Sequence, residues 1–297
     1  MTVKGMRDYI ALTKPRITWL ILMSTGIGYF FGLPGAPTWI AFLKSIPLWQ
    51  LLHTICGTGL IASGTAALNQ WYERDADRHM RRTSERPLPS GRLSAANALA
   101  FGAALSVAGF VELWLGVNPL SAAIGAFTLA SYLFFYTPLK QRTWWSTTIG
   151  AIPGAMPPVI GFAAAAGTLT RESWVLFAIL FLWQFPHFYS IAWMYKEDYA
   201  RAGIRMLPVV EPDCRSTARQ IVLYGLALIP VSLIPGILGM SGRIYVVGAL
   251  LLGLWFLYSG VRVALERTLS RARGVLITSV LYLPLIYGLM LLDRPGL

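Results

Sequence analysis

Nine continuous apolar runs restrict this chain more than any other feature. They lie near residues 17–33, 47–68, 95–116, 118–136, 145–166, 173–195, 219–240, 243–263 and 274–292. Each is about long enough to cross a ~30 Å hydrocarbon layer as a helix rising ~1.5 Å per residue. The runs do not alternate in polarity, which excludes the strands of a membrane β-barrel. Composition agrees: 56% of the 297 residues are hydrophobic and 13% are charged, against about 25% charged in soluble domains. The expected fold is all-α: a polytopic membrane protein of nine transmembrane helices, forming a single domain over 1–297. Only Val117, Asn118 and Pro119 join the third run to the fourth, so that pair is expected to form a tight hairpin.

The basic residues orient the runs. With the N-terminus placed in the cytoplasm, only Lys44, Arg171, Arg243 and Arg294 of the 25 lysines and arginines fall on the outer side. Such asymmetry is the mark of a membrane topology. It also accounts for the net charge of +12 without invoking nucleic acid, so the expected partner is the lipid bilayer. No cleavable leader precedes the first run, which favours a multi-pass protein of a bacterial inner (plasma) membrane. Cys56 and Cys214 stand in unlike surroundings, with no CxxC pattern, so no disulfide is expected. Residues 151–158 read AIPGAMPP, and Pro186, Pro230, Pro235 and Pro284 interrupt other runs. Prolines there are expected to kink helices at packed positions. The GFAAAAG run at 161–167 is expected to make a close helix–helix contact. Most tryptophans, among them Trp19, Trp39, Trp49, Trp144, Trp145, Trp174 and Trp193, fall near run ends and suit an interfacial belt.

The chemistry concentrates in residues 69–92, NQWYERDADRHMRRTSERPLPSGR. If the second run continues as a helix past Leu68, Asn69, Glu73 and Asp77 fall at i, i+4 and i+8. They then drift by only ~40° per step and line one face, whereas Asp75 points elsewhere. An amide oxygen and two carboxylates are hard ligands suited to Mg²⁺. Arg78, Arg81, Arg82 and Arg86 surround them and suit phosphate. Acidic groups to hold a metal and guanidinium groups to hold the anion it bridges describe a site for a magnesium-bound diphosphate. The competing reading is a plain juxtamembrane loop whose charges pair with one another. A second charged stretch on the same membrane face holds Lys196, Glu197, Asp198, Tyr199, Arg201 and Arg205. Glu197 or Asp198 would supply a second metal site or orient its water. Tyr136, Lys140 and Arg142 form a third cluster suited to phosphate oxygens.

At these residues the sequence resembles the UbiA-type intramembrane prenyltransferases, and within them the haem-farnesylating branch. The resemblance covers nearly the whole chain. It is carried by LTKPRIT (12–18), the 69–94 stretch, YTPLKQRTWWST (136–147), WQFPHFYSIAW (183–193), KEDYARAGIRMLPVV (196–210) and residues 272–293. Glu73 stands where many members have Asp. The second stretch lacks a plain DxxxD, because Met194 lies four residues before Asp198. The resemblance implies transfer of farnesyl from farnesyl diphosphate to a vinyl group of haem b, with water addition, to give haem O. It implies Mg²⁺ as cofactor, an active site on the cytoplasmic side, Asn69, Glu73, Asp77 and Asp198 as catalytic residues, and haem A synthase or a terminal oxidase assembly as partner. A relative acting on a quinone or another aromatic or tetrapyrrole precursor, or a polytopic transporter, are the alternatives. On the haem side, the intramembrane His187 is a candidate contact or iron ligand, with a polar tie between helices as the other reading. His53 lies ~24 Å up the helix from Asn69, and His79 sits among the arginines. Trp71 faces either a prenyl chain or the interface.

Overall fold

The protein is described from a computed structural model that covers residues 3–35, 43–44 and 46–295. These residues form helices and connecting turns and contain no strand. In chain order the helices are α1 (Val3–Leu12), α2 (Pro15–Gly32), α3 (Leu48–Arg78), α4 (Ala95–Gly116), α5 (Pro119–Leu139), α6 (Ser146–Gly154), α7 (Pro157–Ala166), α8 (Arg171–Met194), α9 (Lys196–Arg201), α10 (Leu207–Val210), α11 (Arg215–Ile237), α12 (Arg243–Glu266) and α13 (Leu269–Leu292). Eight spans among the described residues are long and apolar enough to cross a membrane: α3, α4, α5, the α6–α7 pair, α8, α11, α12 and α13. The first expected span is α2, 18 residues long, which opens on Pro15 and the charged Arg16 and is not among these eight.

The chain divides into two compact units. One contains Met1–Gly32, Pro47–Thr168 and Glu197–Arg205; the other contains Leu33–Ile46, Leu169–Lys196 and Met206–Leu297. In the first unit, α3 packs along α4 and α2 packs along α7. The α4–α5 hairpin turns at Val117 and Asn118 as expected. Asn118 Oδ1 accepts the Ser121 amide at 2.8 Å, and Pro119 occupies the first helical turn. An N-cap side chain replaces a donor partner the helix cannot supply, and proline there forfeits no hydrogen bond. AIPGAMPP breaks the fifth span between Gly154 and Pro157, at Ala155 and Met156. Pro186, Pro230, Pro235 and Pro284 instead remain inside helices.

α5 is not α-helical throughout. Ser131–Tyr136 forms one π-helical turn before Thr137–Leu139 resumes the α form. A π turn inserts a residue into the helix and rotates everything beyond it. The turned segment presents Tyr132, Tyr136, Thr137 and Lys140 together.

In the second unit, α11 packs on α8 and α12, and α13 packs on α8 and α12. Ser232 ties three of its helices together: the Tyr282 hydroxyl bonds the Ser232 hydroxyl at 2.7 Å, and Tyr245 donates to the Ser232 carbonyl at 2.7 Å. Both cysteines are free. Of the belt tryptophans, Trp19, Trp49, Trp145 and Trp174 are exposed, but Trp193 is buried. Trp39 lies outside the described residues.

The GFAAAAG expectation is met by α2 and α7. A Cβ built on Gly161 would lie 1.9 Å from the Thr25 carbonyl oxygen, and one on Gly28 would lie 1.8 Å from that of Pro158. The two backbones touch because neither position has a side chain. Gly28→Ala and Gly161→Ala are therefore expected to cost ~1–3 kcal/mol by forcing the helices apart. Gly26→Ala, with nothing within 4 Å, is expected to change stability by less than ~0.5 kcal/mol. Thermal unfolding of the three variants in one detergent checks this, and equal midpoints would contradict the close contact.

Candidate active site

α3 runs on past its apolar part to Arg78, so the spacing of Asn69, Glu73 and Asp77 becomes a real stripe. Asn69 and Asp77 are each 1% exposed, and the Glu73 side chain is 13% exposed. The Asp75 side chain is 68% exposed, with Arg78 3.5 Å and Arg74 3.8 Å away. Asn69 Nδ2 donates to Glu73 Oε2 at 2.8 Å. Lys140 Nζ donates to Glu73 Oε1 at 2.7 Å, and Thr137 Oγ1 donates to Asn69 Oδ1 at 3.1 Å. Arg86 donates to Asp77 Oδ2 at 2.7 Å, whereas Asp77 Oδ1 is buried without a hydrogen-bond partner. An unpartnered oxygen on a buried carboxylate costs ~1–3 kcal/mol or more.

The loop after α3 is folded back to bring Arg86 there. Thr83 Oγ1 donates to the Asp77 carbonyl at 2.8 Å, while Met80 and Leu88 are buried. Arg92 clamps the loop to α1 by donating to Asp8 Oδ1 at 3.0 Å. Leu12, Ala67, Leu88 and Ala98 form a small core beneath, with Trp71 packed against it. Trp71 thus seats the loop, and the Arg74 guanidinium lies 5.5 Å over its ring.

Lys140 sits over Tyr136, its Nζ 4.3 Å from the ring centroid, and 5.8 Å from that of Tyr132. Burial opposes its charge, but Glu73 and the two tyrosines hold its pKa well above the usual lysine value. The ammonium is therefore a permanent cation. A cavity of ≈ 200 Å³ opens beside it, lined by Tyr72, Glu73, Asp75, Ala76, Thr137, Lys140, Gln141 and Ile204. Asp75, off the stripe, thus still borders the entrance.

The second charged stretch contributes through its backbone and rings. The Arg205 amide donates to the Lys140 carbonyl at 2.8 Å. Arg82 donates to the Tyr199 hydroxyl at 3.3 Å and lies 5.8 Å over its ring. Asp198 is buried and ion-paired with Arg201. Glu197 is exposed, as are Arg78, Arg81, Arg142 and the Arg205 side chain. His79 is exposed, its Nδ1 2.9 Å from the Asp75 carbonyl. His53 pairs with Glu112 at 2.6 Å. His187 belongs to the other unit, bonded to Ser279 at 2.8 Å and stacked on Trp183.

Two groups carry no obvious signal in the sequence. Thr137 reaches Asn69 only because the π turn rotates it there. Lys14 lies within electrostatic reach of Arg86, Glu73, Lys140 and Asp77, and burial followed by the charge of Arg86 brings its pKa down to about 8. It stands in LTKPRIT, where its charge reads as one more inside-facing base.

Among the described residues, no three of His, Cys, Asp and Glu gather as a metal cluster. The stripe instead offers an amide oxygen, two carboxylates and one unsatisfied carboxylate oxygen at the negative end of a helix. That donor set fits a divalent hard cation.

Comparison with known proteins decides what kind of chain carries this site. The model of the UbiA prenyltransferase family matches residues 21–282. The chain belongs to the UbiA prenyltransferase family. A relative of this UbiA-family chain in Solibacter usitatus (strain Ellin6076), named protoheme IX farnesyltransferase, is 86% identical over 98% of this chain and 100% of its own length. A protein of the same name in Koribacter versatilis (strain Ellin345) is 47% identical over 97% and 94%. The fold is similar to that of digeranylgeranylglyceryl phosphate synthase, with TM-score 0.78, 17% identity, and 99% and 100% of the chains covered. It is also similar to a UbiA homologue from Archaeoglobus fulgidus bound to GPP and Mg²⁺, with TM-score 0.65, 15% identity, and coverage of 95% and 99%.

In this UbiA-family chain, Asn69→Ala and Asp77→Ala, which remove buried hydrogen-bonded groups of the stripe, are each expected to lower prenyl transfer by more than ~100-fold. Asp75→Ala is expected to lower it by less than ~10-fold, because its carboxylate is solvated. Initial rates on protein matched for membrane content check the contrast, and equal losses would overturn the stripe geometry.

Proposed function

We propose that this chain transfers farnesyl from farnesyl diphosphate to a vinyl group of haem b, with addition of water, to give haem O. The observation that carries the site assignment is the buried stripe of Asn69, Glu73 and Asp77, whose carboxylates face Lys140 and Arg86 while one oxygen lacks a partner. The choice of acceptor rests on the protoheme IX farnesyltransferase names of its close relatives. Binding of GPP with Mg²⁺ by the A. fulgidus homologue supports the donor and metal.

In this reading Asn69, Glu73 and Asp77 hold Mg²⁺, with Glu197 and Asp198 as the candidates for a second ion. Bound Mg²⁺ would supply Lewis-acid charge to the diphosphate oxygens. Arg86 and Lys140 contact the same anion at the base of the site, and Arg78, Arg81, Arg82, Arg142 and Arg205 receive it at the mouth. Their fixed positive charge stabilises the diphosphate as the C1–O bond breaks. Electrons of the haem vinyl group form the new bond to C1. Water then adds to the cation left beside the porphyrin and loses a proton, and diphosphate departs. Tyr136 covers Lys140 on the apolar side and helps exclude water from the allylic centre. On the haem side, Ser279 Oγ donates to the Leu276 carbonyl at 2.6 Å, so it accepts from His187 Nδ1. That leaves His187 Nε2 with a lone pair for the haem.

Purified protein given farnesyl diphosphate, Mg²⁺ and haem b is expected to yield a haem heavier by one farnesyl and one hydroxyl group in mass spectra. Prenylation of quinols or aromatic acids in place of haem would overturn the acceptor assignment.

The whole chain acts as one membrane domain in this account, in a bacterial inner membrane, with the N-terminus and the site cytoplasmic. In a background with Cys56→Ser and Cys214→Ser, Ser90→Cys is expected to resist an impermeant thiol reagent applied from outside intact cells. Arg243→Cys is expected to react. The reverse pattern would invert the topology.

A further inference from the structure

We infer that α1 is an interfacial helix that binds the anionic headgroups of the surrounding bilayer, and that this lipid contact, carried by the Arg92–Asp8 clamp, holds the 79–94 loop in its site-forming position. The inference rests on the proposed function for the side of the membrane and for what Arg86 does there.

The first argument is where α1 lies. Leu12 and Tyr9 stand within ~100° of Asp8 around the helix, whereas Met6 and Ile10 stand ~160–200° away. Asp8 and Leu12 are buried, but Met6 and Ile10 are 55% and 52% exposed. The inward face is held against two spans. Leu12 packs with Ala67, Leu88 and Ala98, and Gln70 of α3 donates to the Leu12 carbonyl at 2.9 Å. The Tyr9 ring meets Phe101 of α4 edge-on, with centroids 5.0 Å apart. Phe101 lies ~9 Å along α4 from its first residue, Ala95. α1 is therefore set beside the spans, not above them, and its outward face is turned to the depth where acyl chains meet headgroups.

The second argument is what that face offers. Its apolar surface runs on to α2, the first expected span, where Ile17, Trp19 and Leu20 are exposed. A continuous apolar patch marks an interaction surface, and continuity with a span selects lipid as its partner. Arg7, ~60° round from Ile10, and Arg16 are exposed as well. Asp8 is the only acidic residue of α1, and it is turned inward to Arg92. The outward face thus carries apolar side chains bordered by positive charge, the pattern that seats a helix among anionic lipids.

The third argument is the connection to the site. α1 has ten residues, too few to hold a helix unaided, so its order comes from the spans on one side and lipid on the other. Arg92 donates to Asp8 Oδ1 at 3.0 Å, to the Ser90 hydroxyl at 2.7 Å and to the Glu85 carbonyl at 2.9 Å. One guanidinium thus ties α1 to the loop on both sides of Arg86, which itself donates to Asp77 at 2.7 Å. Lifting α1 from the surface releases Asp8, slackens Arg92 and frees the segment that carries Arg86. A negatively charged leaflet thereby favours the assembled site.

The test uses the full chain with Cys56→Ser and Cys214→Ser, in nanodiscs of phosphatidylcholine alone or with about a third phosphatidylglycerol. A nitroxide on Ile10→Cys reports the position of α1, and one on Glu85→Cys reports motion of the loop. In anionic discs the Ile10→Cys label is expected to meet dissolved oxygen more often than a water-soluble nickel chelate. The Glu85→Cys label is expected to move slowly there, and about twofold to fivefold faster in phosphatidylcholine alone. Arg7→Gln is expected to shrink that lipid difference by about half or more, and Arg7→Lys to restore it. Asp8→Ala is expected to free the loop in both lipids while α1 stays in lipid, which separates the contact from its transmission. KM for farnesyl diphosphate is expected to rise about fivefold in phosphatidylcholine alone, with kcat within about twofold. An Ile10→Cys label open to the nickel chelate in anionic discs, or a Glu85→Cys spectrum unchanged by lipid, would overturn the inference and leave the proposed function standing. Inactivity of the unmodified chain toward farnesyl diphosphate and haem b in both lipids would overturn the proposed function, and the two labels would then decide the inference by themselves.

Discussion

The site depends on keeping two carboxylates charged at the end of a membrane helix, away from water. Removing a carboxylate from water costs several kcal/mol unless a partner meets it. Asp77, 1% exposed, is met by Arg86 from a loop that doubles back over α3. Glu73 is met by Lys140 from the far end of α5. Neither partner reaches its carboxylate by helix periodicity. Arg86 needs the 79–94 loop, seated by Met80, Leu88 and the Arg92–Asp8 pair. Lys140 needs the π turn at Ser131–Tyr136. Much of the first unit can be understood as scaffolding for these two ion pairs.

That arrangement suits the chemistry of prenyl transfer. A diphosphate leaves readily only if positive charge is in place before the bond breaks, since reorganising solvent would raise the barrier. Cations already tied to carboxylates are positioned in advance. They need only share their charge with an incoming anion. The Asp77 oxygen without a partner marks where the protein's own hydrogen bonding stops short.

Much of this was legible in the sequence because helices are periodic. Asn69, Glu73 and Asp77 declare their shared face by spacing alone, and Asp75 declares its absence from it. The turn at Asn118-Pro119 and the break at AIPGAMPP follow from what proline does to a helix. The legible features end where tertiary geometry begins. A π turn has no reliable sequence mark, so the meeting of Thr137 with Asn69 could not be foreseen. Lys14 looked like another inside-facing base, because only the folded turn brings its charge to the stripe. Trp193 stands near a span end and reads as an interfacial residue, but the fold buries it. In each case a contact between distant segments decided the outcome, and no local pattern reports such contacts.

The central claim is that the α3 stripe binds the metal which a prenyl diphosphate shares. The most direct measurement is a crystal or cryo-EM structure of the chain with Mn²⁺ in place of Mg²⁺ and farnesyl S-thiolodiphosphate, locating the ion by anomalous scattering or density. The account predicts an ion within ~2.0–2.3 Å of an Asp77 oxygen and of a diphosphate oxygen. An ion and diphosphate bound away from α3, with the Asp77–Arg86 pair undisturbed, would contradict it.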